Sequence, residues 1–249
     1  MTKTLDLIML RFDSFVQGGE VELGGEKSGR SGSGRSDLPP EVLGNFVVIE
    51  GLDGSGTTTQ LHLAEERLKD RGIPHFCTGE PTRGPVGLII RQILKRQIQA
   101  RPDTVALLFA ADRSEHLYAE NDGILAHLGR DRLVVCDRYL FSSLAYQSLA
   151  CDPQFVFSLN CRFPLPRHLV FLDTPVDLSQ QRLATRAAGG PELYDGREIQ
   201  QAILAAYERS FMRFANTEMQ LHRLDGSQDP ELVFEKFWSI LTTLPIVKA

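Results

Sequence analysis

Residues 46–59 read FVVIEGLDGSGTTT, an apolar run followed by a glycine-rich turn and the start of a helical pattern. This order is the context of a phosphate-binding loop, whose pattern is G-x-x-x-x-G-K-[ST]. Gly51, Gly56 and Thr58 occupy three of the fixed positions, but Thr57 stands where the pattern has lysine. The stretch therefore predicts a cradle for a nucleoside triphosphate that lacks its usual cation.

The backbone of this loop is predicted to do most of the binding. Glycines let the chain turn tightly and aim its N–H groups inward, where they and the following helix N-terminus attract phosphate oxygens. The predicted loop consists of Gly51, Leu52, Asp53, Gly54, Ser55, Gly56, Thr57, Thr58 and Thr59. In loops of this kind the hydroxyl at Thr58 binds Mg²⁺. The alternative, a plain glycine turn, is disfavoured by the strand–loop–helix order.

Composition excludes several classes of protein. The chain has 249 residues, 42% of them apolar and 24% charged, which is typical of a soluble globular protein of one or two domains. Its net charge of -5 gives no overall basic field for nucleic acid. No apolar run reaches the roughly 18 residues of a membrane span, and residues 1–16 make a poor signal peptide. Four cysteines without a CxxC pair add to the expectation of a cytoplasmic protein without disulfides.

The N-terminal part of the chain differs from the rest. In residues 18–36 glycine and serine supply 11 of 19 positions, and no aromatic residue is present. Such a stretch cannot bury enough apolar surface to offset the entropy of ordering it. We expect residues 1–43 to form a disordered extension, or to reflect a start site placed too far upstream, and residues 44–249 to form the functional domain.

From residue 45 onward, apolar runs alternate with helical patterns. The runs are rich in valine, isoleucine, leucine and phenylalanine without strict alternation, as in parallel strands buried on both faces. Predicted strands are 46–50, 75–78, 132–136, 168–172 and 221–224. Predicted helices are 57–71, 86–96, 104–118, 121–128, 142–149, 178–187, 197–217 and 230–244. The pattern predicts an α/β fold, a doubly wound five-stranded parallel sheet with helices on both faces and ligands at the carboxyl ends of its strands.

Three further segments carry polar groups toward that edge. Asp137 and Arg138 follow a buried strand, where the carboxylate is suited to Mg²⁺ and the guanidinium to a phosphate; a surface ion pair is the alternative. Phe109 and Arg113 lie four residues apart on one helical face, and so do Ser143 and Gln147. Each pair is suited to a nucleobase, although a core phenylalanine and a helix-capping serine are the simpler interpretations.

Together these segments resemble the thymidylate kinases from about residue 46 to residue 244. The family pattern E-G-x-D-G-[SA]-G-K-[ST]-[ST] corresponds to residues 50–59, and T-R-E-P-G-G-T corresponds to 78–84. L-F-A-A-D-R is matched in full by residues 108–113, and D-R-Y-x-x-S-x-x-A-Y-Q in full by residues 137–147. The last string, with its spacing, is the most specific of the four.

The resemblance implies a homodimeric enzyme that transfers the γ-phosphoryl group of ATP to dTMP with Mg²⁺, giving dTDP for dTTP synthesis. It also implies a lid at about residues 182–197 and an apolar dimer face, for which residues 105–108 are one candidate. Its catalytic residues would be Asp53, Arg138, Arg182 and Arg186, and its metal residues Thr58 and Asp137. Its dTMP-binding residues would be Asp53, Glu80, Phe109, Arg113, Arg138, Ser143, Tyr146 and Gln147.

Three departures from the family pattern remove positive charge. Thr57 replaces the loop lysine, Gly79 replaces the arginine of T-R-E-P, and Leu193 replaces an arginine of the lid. Because phosphoryl transfer depends on charge stabilisation, these losses leave two other readings open. One is a nucleotide binder that has lost its catalysis, and the other is a kinase for a different deoxynucleotide or a nucleoside. Arg83, Arg182 and Arg186 are the candidates to supply the missing charge.

Overall fold

All five predicted strands are strands of one sheet in the structure, a computed structural model that describes residues 40–185, 193–194 and 196–248. They are β1 (Val42–Gly51), β2 (His75–Gly79), β3 (Leu133–Asp137), β4 (Leu165–Asp173) and β5 (Gln220–Asp225). Their order is β2-β3-β1-β4-β5, and every pairing is parallel. The predicted parallel sheet is confirmed, with the loop-bearing strand at its centre.

Helices connect the strands. They are α1 (Thr57–Asp70), α2 (Pro85–Leu94), α3 (Pro102–Tyr118), α4 (Ile124–Leu128), α5 (Leu140–Tyr146), α6 (Pro153–Asn160), α7 (Val176–Thr185), α8 (Arg197–Arg213), α9 (Pro230–Leu241) and α10 (Pro245–Lys248). A 3₁₀ turn, Gln147–Leu149, continues α5. Across the part of the chain that the structure describes, no helix has both the length and the apolar character to cross a membrane.

The core forms two layers, one on each face of the sheet. Successive residues of β1 point to opposite faces, so Phe46 and Val48 enter one cluster while Val47 and Ile49 enter the other. Helices α5 and α8 cover the first face, and α1 and α9 cover the second. Burial on both faces explains why these strands read as continuous apolar runs, and it confirms the doubly wound arrangement.

Element boundaries differ from the prediction where pairing or capping extends an element. Strand β1 begins at Val42 because that residue pairs with Leu165 at the start of β4, so two residues of the predicted extension belong to the sheet. Helix α6 was not predicted. Its signal is the sequence Asp152-Pro153, in which the Asp152 carboxylate accepts a hydrogen bond of 3.1 Å from the backbone of Gln154.

Residues 105–108, one candidate for the dimer face, do not form a single exposed surface. Val105 and Ala106 are buried within the chain's own core, at 4% and 2% exposure. Leu107 is 49% exposed, and so are Leu88 at 54% and Ile89 at 42% on the neighbouring helix α2. Consecutive residues on a helix lie about 100° apart, so residues 105–108 cannot all lie on one side of α3.

Candidate active site

A cleft of about 1390 Å³ opens where β1, β2 and β3 end. Most of the predicted site residues line it: Asp53, Gly54, Gly56, Thr57, Thr58, Glu80, Phe109, Arg113, Asp137, Arg138, Tyr146 and Gln147. A second cavity of about 210 Å³ lies against the same loop and is lined by Ser55, Thr59 and Arg182 among others. The topology thus brings together side chains that lie far apart in sequence, at the edge where ligands bind in open α/β sheets.

The loop between β1 and α1 requires glycine at Gly54. This residue has φ of 84°, and a Cβ atom placed on it would lie 2.5 Å from the backbone oxygen of Ser179 in α7. Gly56, with φ of 101°, is the N-cap of α1, and no side chain caps the helix there. The first N–H groups of α1 are therefore free to bind an anion, and its first turn carries no acidic residue to oppose one.

Thr57, at the lysine position, lies in the wall of the cleft and is 5% exposed. Its neighbour Thr58 is exposed and donates a hydrogen bond of 2.7 Å to the Asp137 carboxylate. The loop therefore presents a hydroxyl and a carboxylate together, whereas position 57 supplies no charge.

Thr58 and Asp137 fit a Mg²⁺ ion. The second carboxylate oxygen of Asp137, Oδ1, is buried and has no hydrogen-bond partner within the described ranges. Mg²⁺ typically takes one or two protein oxygens and completes its shell with water and substrate phosphates. Consistent with such an open site, no group of three or more potential His, Cys, Asp or Glu ligands occurs in the residues described.

Arg138 and Asp53 form an ion pair beside the loop. Nη2 of Arg138 lies 2.6 Å from Oδ1 of Asp53, and Nε2 of Gln200 on α8 donates to Oδ2 at 3.4 Å. Arg138 has φ of 69°, a left-handed conformation that is uncommon for a residue other than glycine and that points to a functional constraint. The backbone N–H of Arg138 donates to Ile49 at 2.9 Å, which holds that conformation against β1.

A fully buried glutamate, which the sequence analysis did not assign to the site, lies behind Arg138. Glu50 accepts hydrogen bonds from Ser142 Oγ at 2.6 Å and from the Tyr207 hydroxyl at 2.9 Å. Burial raises the pKa of Glu50 to about 7, although these hydrogen bonds and the charge of Arg138 oppose the shift. Its signal in the sequence is an acidic residue inside the apolar run 46–50.

Arg113 forms the floor of the cleft. It is 0% exposed, and its Nη2 atom donates to Glu80 at 2.7 Å and to Ser143 at 3.0 Å. Its Nη1 atom donates to Asn160 on the unpredicted helix α6. Phe109, one helical turn earlier, is half-buried in the cleft wall. The pairing of a ring with a guanidinium is therefore present, but the guanidinium is neutralised from behind by Glu80.

The segment 80–82 is fixed by α3. Oε1 of Glu80 lies 3.1 Å from Nδ1 of His116, and the Asp112 carboxylate accepts from the backbone N–H of Thr82 at 2.7 Å and from its hydroxyl at 2.6 Å. Asp112 and His116 were not assigned to the site. They carry out a structural task, since they hold Glu80 in contact with Arg113.

Tyr146 and Gln147 form the wall next to Arg138. The Tyr146 hydroxyl accepts from Arg138 Nη1 at 3.2 Å, and its ring packs edge-on against Tyr194 at 5.1 Å. Oε1 of Gln147 is buried and has no hydrogen-bond partner among the described residues. Ser143 and Gln147 do not share one helix, because α5 ends at Tyr146 and Gln147 begins the 3₁₀ turn. Ser143 lies behind Arg113, whereas Gln147 lines the cleft.

Arg182 is separated from the acceptor side of the loop. Its Nη1 atom donates to the backbone oxygens of Ser55 at 3.3 Å and Gly226 at 3.0 Å, at the rim of the smaller cavity. Arg186 lies outside the described residues, as does half of the predicted lid. Of that lid, Leu193 donates its N–H to Leu94 at 3.1 Å, and Tyr194 lines the large cleft.

Gly79 has a local reason to lack a side chain. It pairs with Asp137 in the sheet, and a Cβ atom on it would lie 2.9 Å from the Asp137 backbone oxygen. Arg83, four residues later, is exposed and lines the large cleft. It is thus the cation in the described cleft wall that is free to turn toward a ligand in place of the missing arginine.

Comparison with known proteins agrees with this geometry. The family model described as Thymidylate kinase matches residues 49–237. A Treponema pallidum protein named as a thymidylate kinase is 38% identical over 197 residues, which cover 78% of this chain and 93% of that protein. One from Thermococcus kodakarensis is 32% identical over 209 residues, covering 80% and 98%. The chain belongs to the thymidylate kinase family.

Proposed function

We propose that this chain is a thymidylate kinase that transfers the γ-phosphoryl group of ATP to dTMP, giving ADP and dTDP. The observation that carries the proposal is the acceptor side of the cleft, where the Asp53–Arg138 pair and the Phe109–Arg113 pair line the same cavity. Family membership and the names of the relatives support the same reaction. The product would serve dTTP synthesis.

The chain's own groups would position the reactants. The backbone N–H groups of residues 51–59 and the open N-terminus of α1 would bind the phosphates of ATP. Arg138 would hold the dTMP phosphate, and Asp53 would accept from the sugar hydroxyl. Phe109 would stack on the base while Arg113, backed by Ser143, and the Gln147 amide bind its polar edge. Tyr146 would crowd the 2′ position and favour deoxyribose.

Thr58 and Asp137 are the residues that would hold Mg²⁺. When bound, the ion neutralises charge on the β- and γ-phosphates. Arg182, beside the loop, is suited to the nucleotide that enters the smaller cavity. Arg83 and Arg186 are the remaining candidates to replace the charge that Thr57 does not supply.

A second candidate function is a nucleotide binder without turnover. The buried, uncharged Thr57 favours it, because losing one preorganised donor typically lowers a rate by about 10²–10³. The intact Asp53–Arg138 pair favours the kinase, since a pure ATP binder has no need of an acceptor-phosphate site.

The test is coupled ADP release with ATP, Mg²⁺ and dTMP, for the natural chain and for Thr57→Lys. We expect dTMP-dependent turnover by the natural chain. Arg138→Ala is expected to lower kcat/KM by at least about 10²-fold. Arg167→Ala, at a half-buried arginine on β4 whose Nη1 atom lies 3.7 Å from Oε2 of Glu218, serves as the matched control and is expected to leave turnover unchanged.

Two outcomes would redirect the proposal. Folded protein without dTMP-dependent ADP release, rescued by Thr57→Lys, would assign the chain to the second function. Turnover with another monophosphate or a nucleoside in preference to dTMP would change the acceptor.

Four further expectations complete the proposal. We propose a homodimer whose contact includes Leu88, Ile89 and Leu107, because these exposed apolar residues lie on two helices that pack side by side. We further propose a cytoplasmic location, small-molecule nucleotides rather than nucleic acid as ligands, and a catalytic domain that excludes the N-terminal extension.

A further inference from the structure

Glu50 is fully buried beside the acceptor side of the cleft, and four hydrogen-bond donors surround its carboxylate. Oε1 accepts from the backbone N–H groups of Tyr139 at 2.9 Å and Ser142 at 3.1 Å. Oε2 accepts from Ser142 Oγ at 2.6 Å and from the Tyr207 hydroxyl at 2.9 Å. A carboxylate can accept all four, whereas a protonated carboxyl group must give up one of these positions to its own O–H.

The two hydroxyls link Glu50 to Arg138. Each hydroxyl has a single hydrogen, so a hydroxyl that donates to Glu50 turns its lone pairs elsewhere. Nη1 of Arg138 lies 3.2 Å from Ser142 Oγ and 3.4 Å from the Tyr207 hydroxyl, on that lone-pair side. Two other acceptors compete for these hydrogens, since the two hydroxyls lie 2.9 Å apart and Tyr207 also lies 3.2 Å from the Gly51 carbonyl oxygen. The negative charge of the ionised carboxylate favours donation to Glu50, which leaves both oxygens as acceptors for the guanidinium.

We propose that Glu50 is a positioning residue that, through Ser142 and Tyr207, orients Arg138 to bind the phosphate of the acceptor nucleotide. The inference rests on the proposed function, in which Arg138 holds that phosphate. Protonation of Glu50 releases a hydroxyl hydrogen, which can turn toward the Gly51 carbonyl oxygen, 3.2 Å from the Tyr207 hydroxyl, or toward Arg138. Ser142 and Tyr207 then no longer present two fixed acceptors, and the guanidinium is oriented only by its contacts with Asp53 and Tyr146. Affinity for the phosphate then falls, while the base pocket around Arg113 is unaffected.

The other titratable groups near Glu50 do not change charge around neutral pH. Burial raises the pKa of Tyr146 on α5 and of Tyr207 on α8, and it raises the pKa of the Cys136 thiol on β3. The remaining charges are Arg138 itself and its partner Asp53. Glu50, whose pKa burial raises to about 7, is the group here that titrates in the physiological range.

Binding of dTMP and of thymidine to the natural chain and to Glu50→Gln tests the proposal by titration calorimetry at pH 8. Gln keeps the volume and mimics the protonated acid. We expect about 10–100-fold weaker dTMP binding, as for a disturbed hydrogen bond to a charged group, and unchanged thymidine binding. Equal binding of dTMP by both proteins, or equal weakening of both ligands, would overturn the inference. A natural chain that binds neither ligand would instead overturn the proposed function.

Dependence on pH provides a second readout. The second phosphate pKa of dTMP, about 6, contributes equally to both proteins. Between pH 8 and pH 6 we expect the natural chain to lose dTMP affinity more steeply than Glu50→Gln, until the two proteins bind alike. Parallel curves would contradict the role of Glu50.

Tyr207→Phe keeps the proposal testable if Glu50→Gln fails to fold. It removes one linking hydroxyl and is expected to weaken dTMP binding about tenfold without affecting thymidine. The double variant should bind dTMP little more weakly than Glu50→Gln alone, because both changes break the same connection to Arg138. Additive losses of dTMP affinity would show that Glu50 and Tyr207 act independently. Ser210→Ala, a buried serine on the same helix that bonds only the backbone of Tyr207, is the matched control.

Discussion

At the scale of single residues, this site combines a missing charge with strict backbone demands. Thr57 removes the cation from the phosphate loop, yet Gly54 and Gly56 keep the left-handed conformations that direct the loop's N–H groups. Of the loop residues, Gly54 and Gly56 line both cavities. Sequence comparison identifies the substitution at Thr57, whereas its effect on the loop is judged from the contacts that surround it.

Gly54→Ala is expected to destabilise the fold more than Gly72→Ala. Both residues have positive φ, 84° and 66°, so an added methyl group costs about 1–2 kcal/mol in either. At Gly72 no atom lies within 4 Å of the new Cβ, whereas at Gly54 the Ser179 backbone oxygen lies at 2.5 Å. We expect about 1–3 kcal/mol of additional loss at Gly54. Urea unfolding measures the free energy of unfolding of both variants. Equal losses would show that α7 moves away from the added methyl group at little cost.

At the scale of elements, the five strands were predictable, whereas helices α6 and α10 were not. The central strands β1, β3 and β4 are largely buried and therefore appear as uninterrupted apolar runs. The edge strands β2 and β5 are less buried but were still located within two residues. Helix α6 has only one buried apolar face and follows a turn, which hid it in the predicted loop after residue 149. Its omission mattered, because Asn160 at its end accepts a hydrogen bond from Arg113 behind the floor of the cleft.

Strands β4 and β5 carry a histidine pair that makes stability depend on pH. Nδ1 of His168 lies 3.0 Å from Nε2 of His222, and Nε2 of His168 lies 3.2 Å from the Thr243 hydroxyl. Burial, the adjacent His222 and Arg167 lower the pKa of His168 to about 4. The unfolded chain, with an ordinary value of 6.5, therefore takes up the proton first. The contribution of His168 to the free energy of unfolding is fully present above pH 6.5 and is lost as the pH falls toward 4.

Unfolding free energies at pH 7 and pH 5 measure this effect. We expect the natural chain to lose on the order of 1–2 kcal/mol more than His168→Gln between these two values. His62→Gln, at an exposed histidine on α1, is the control and should follow the natural chain. If His168→Gln shows the same pH dependence as the natural chain, the pair does not control stability.

At the scale of the whole molecule, the sheet order decides which distant segments meet. Thr58 follows β1 and Asp137 ends β3, and these strands are neighbours although the two residues are 79 positions apart. Periodicity predicts strands but not their order, so the site could be assembled in advance only from the family resemblance. Glu50 and Gln200 could not be assigned to the site in this way. Glu50 occupies a motif position to which no role had been attached, and Gln200 lies outside the four motifs.

The proposed dimer predicts a mass of twice the 27.8 kDa of one chain in light scattering. Leu107→Glu places a charge in the exposed patch on α3 and is expected to shift the protein toward the monomer. Leu232→Glu, at a residue 59% exposed on α9 across the sheet, is the control and should leave the mass unchanged. If the natural chain is monomeric at micromolar concentration, the homodimer proposal is wrong.

The central place of β1 has a consequence for biosynthesis. This strand leaves the ribosome first, yet its partners β3 and β4 end only at Asp137 and Asp173. At about 5–20 residues per second, the apolar segment FVVIE has both edges unpaired for roughly 4–17 s, until β3 is complete, and one edge unpaired for roughly 6–25 s, until β4 is complete. During that interval it is exposed to wrong pairing with other nascent chains, so chaperone capture is needed most while residues 52–173 are being translated.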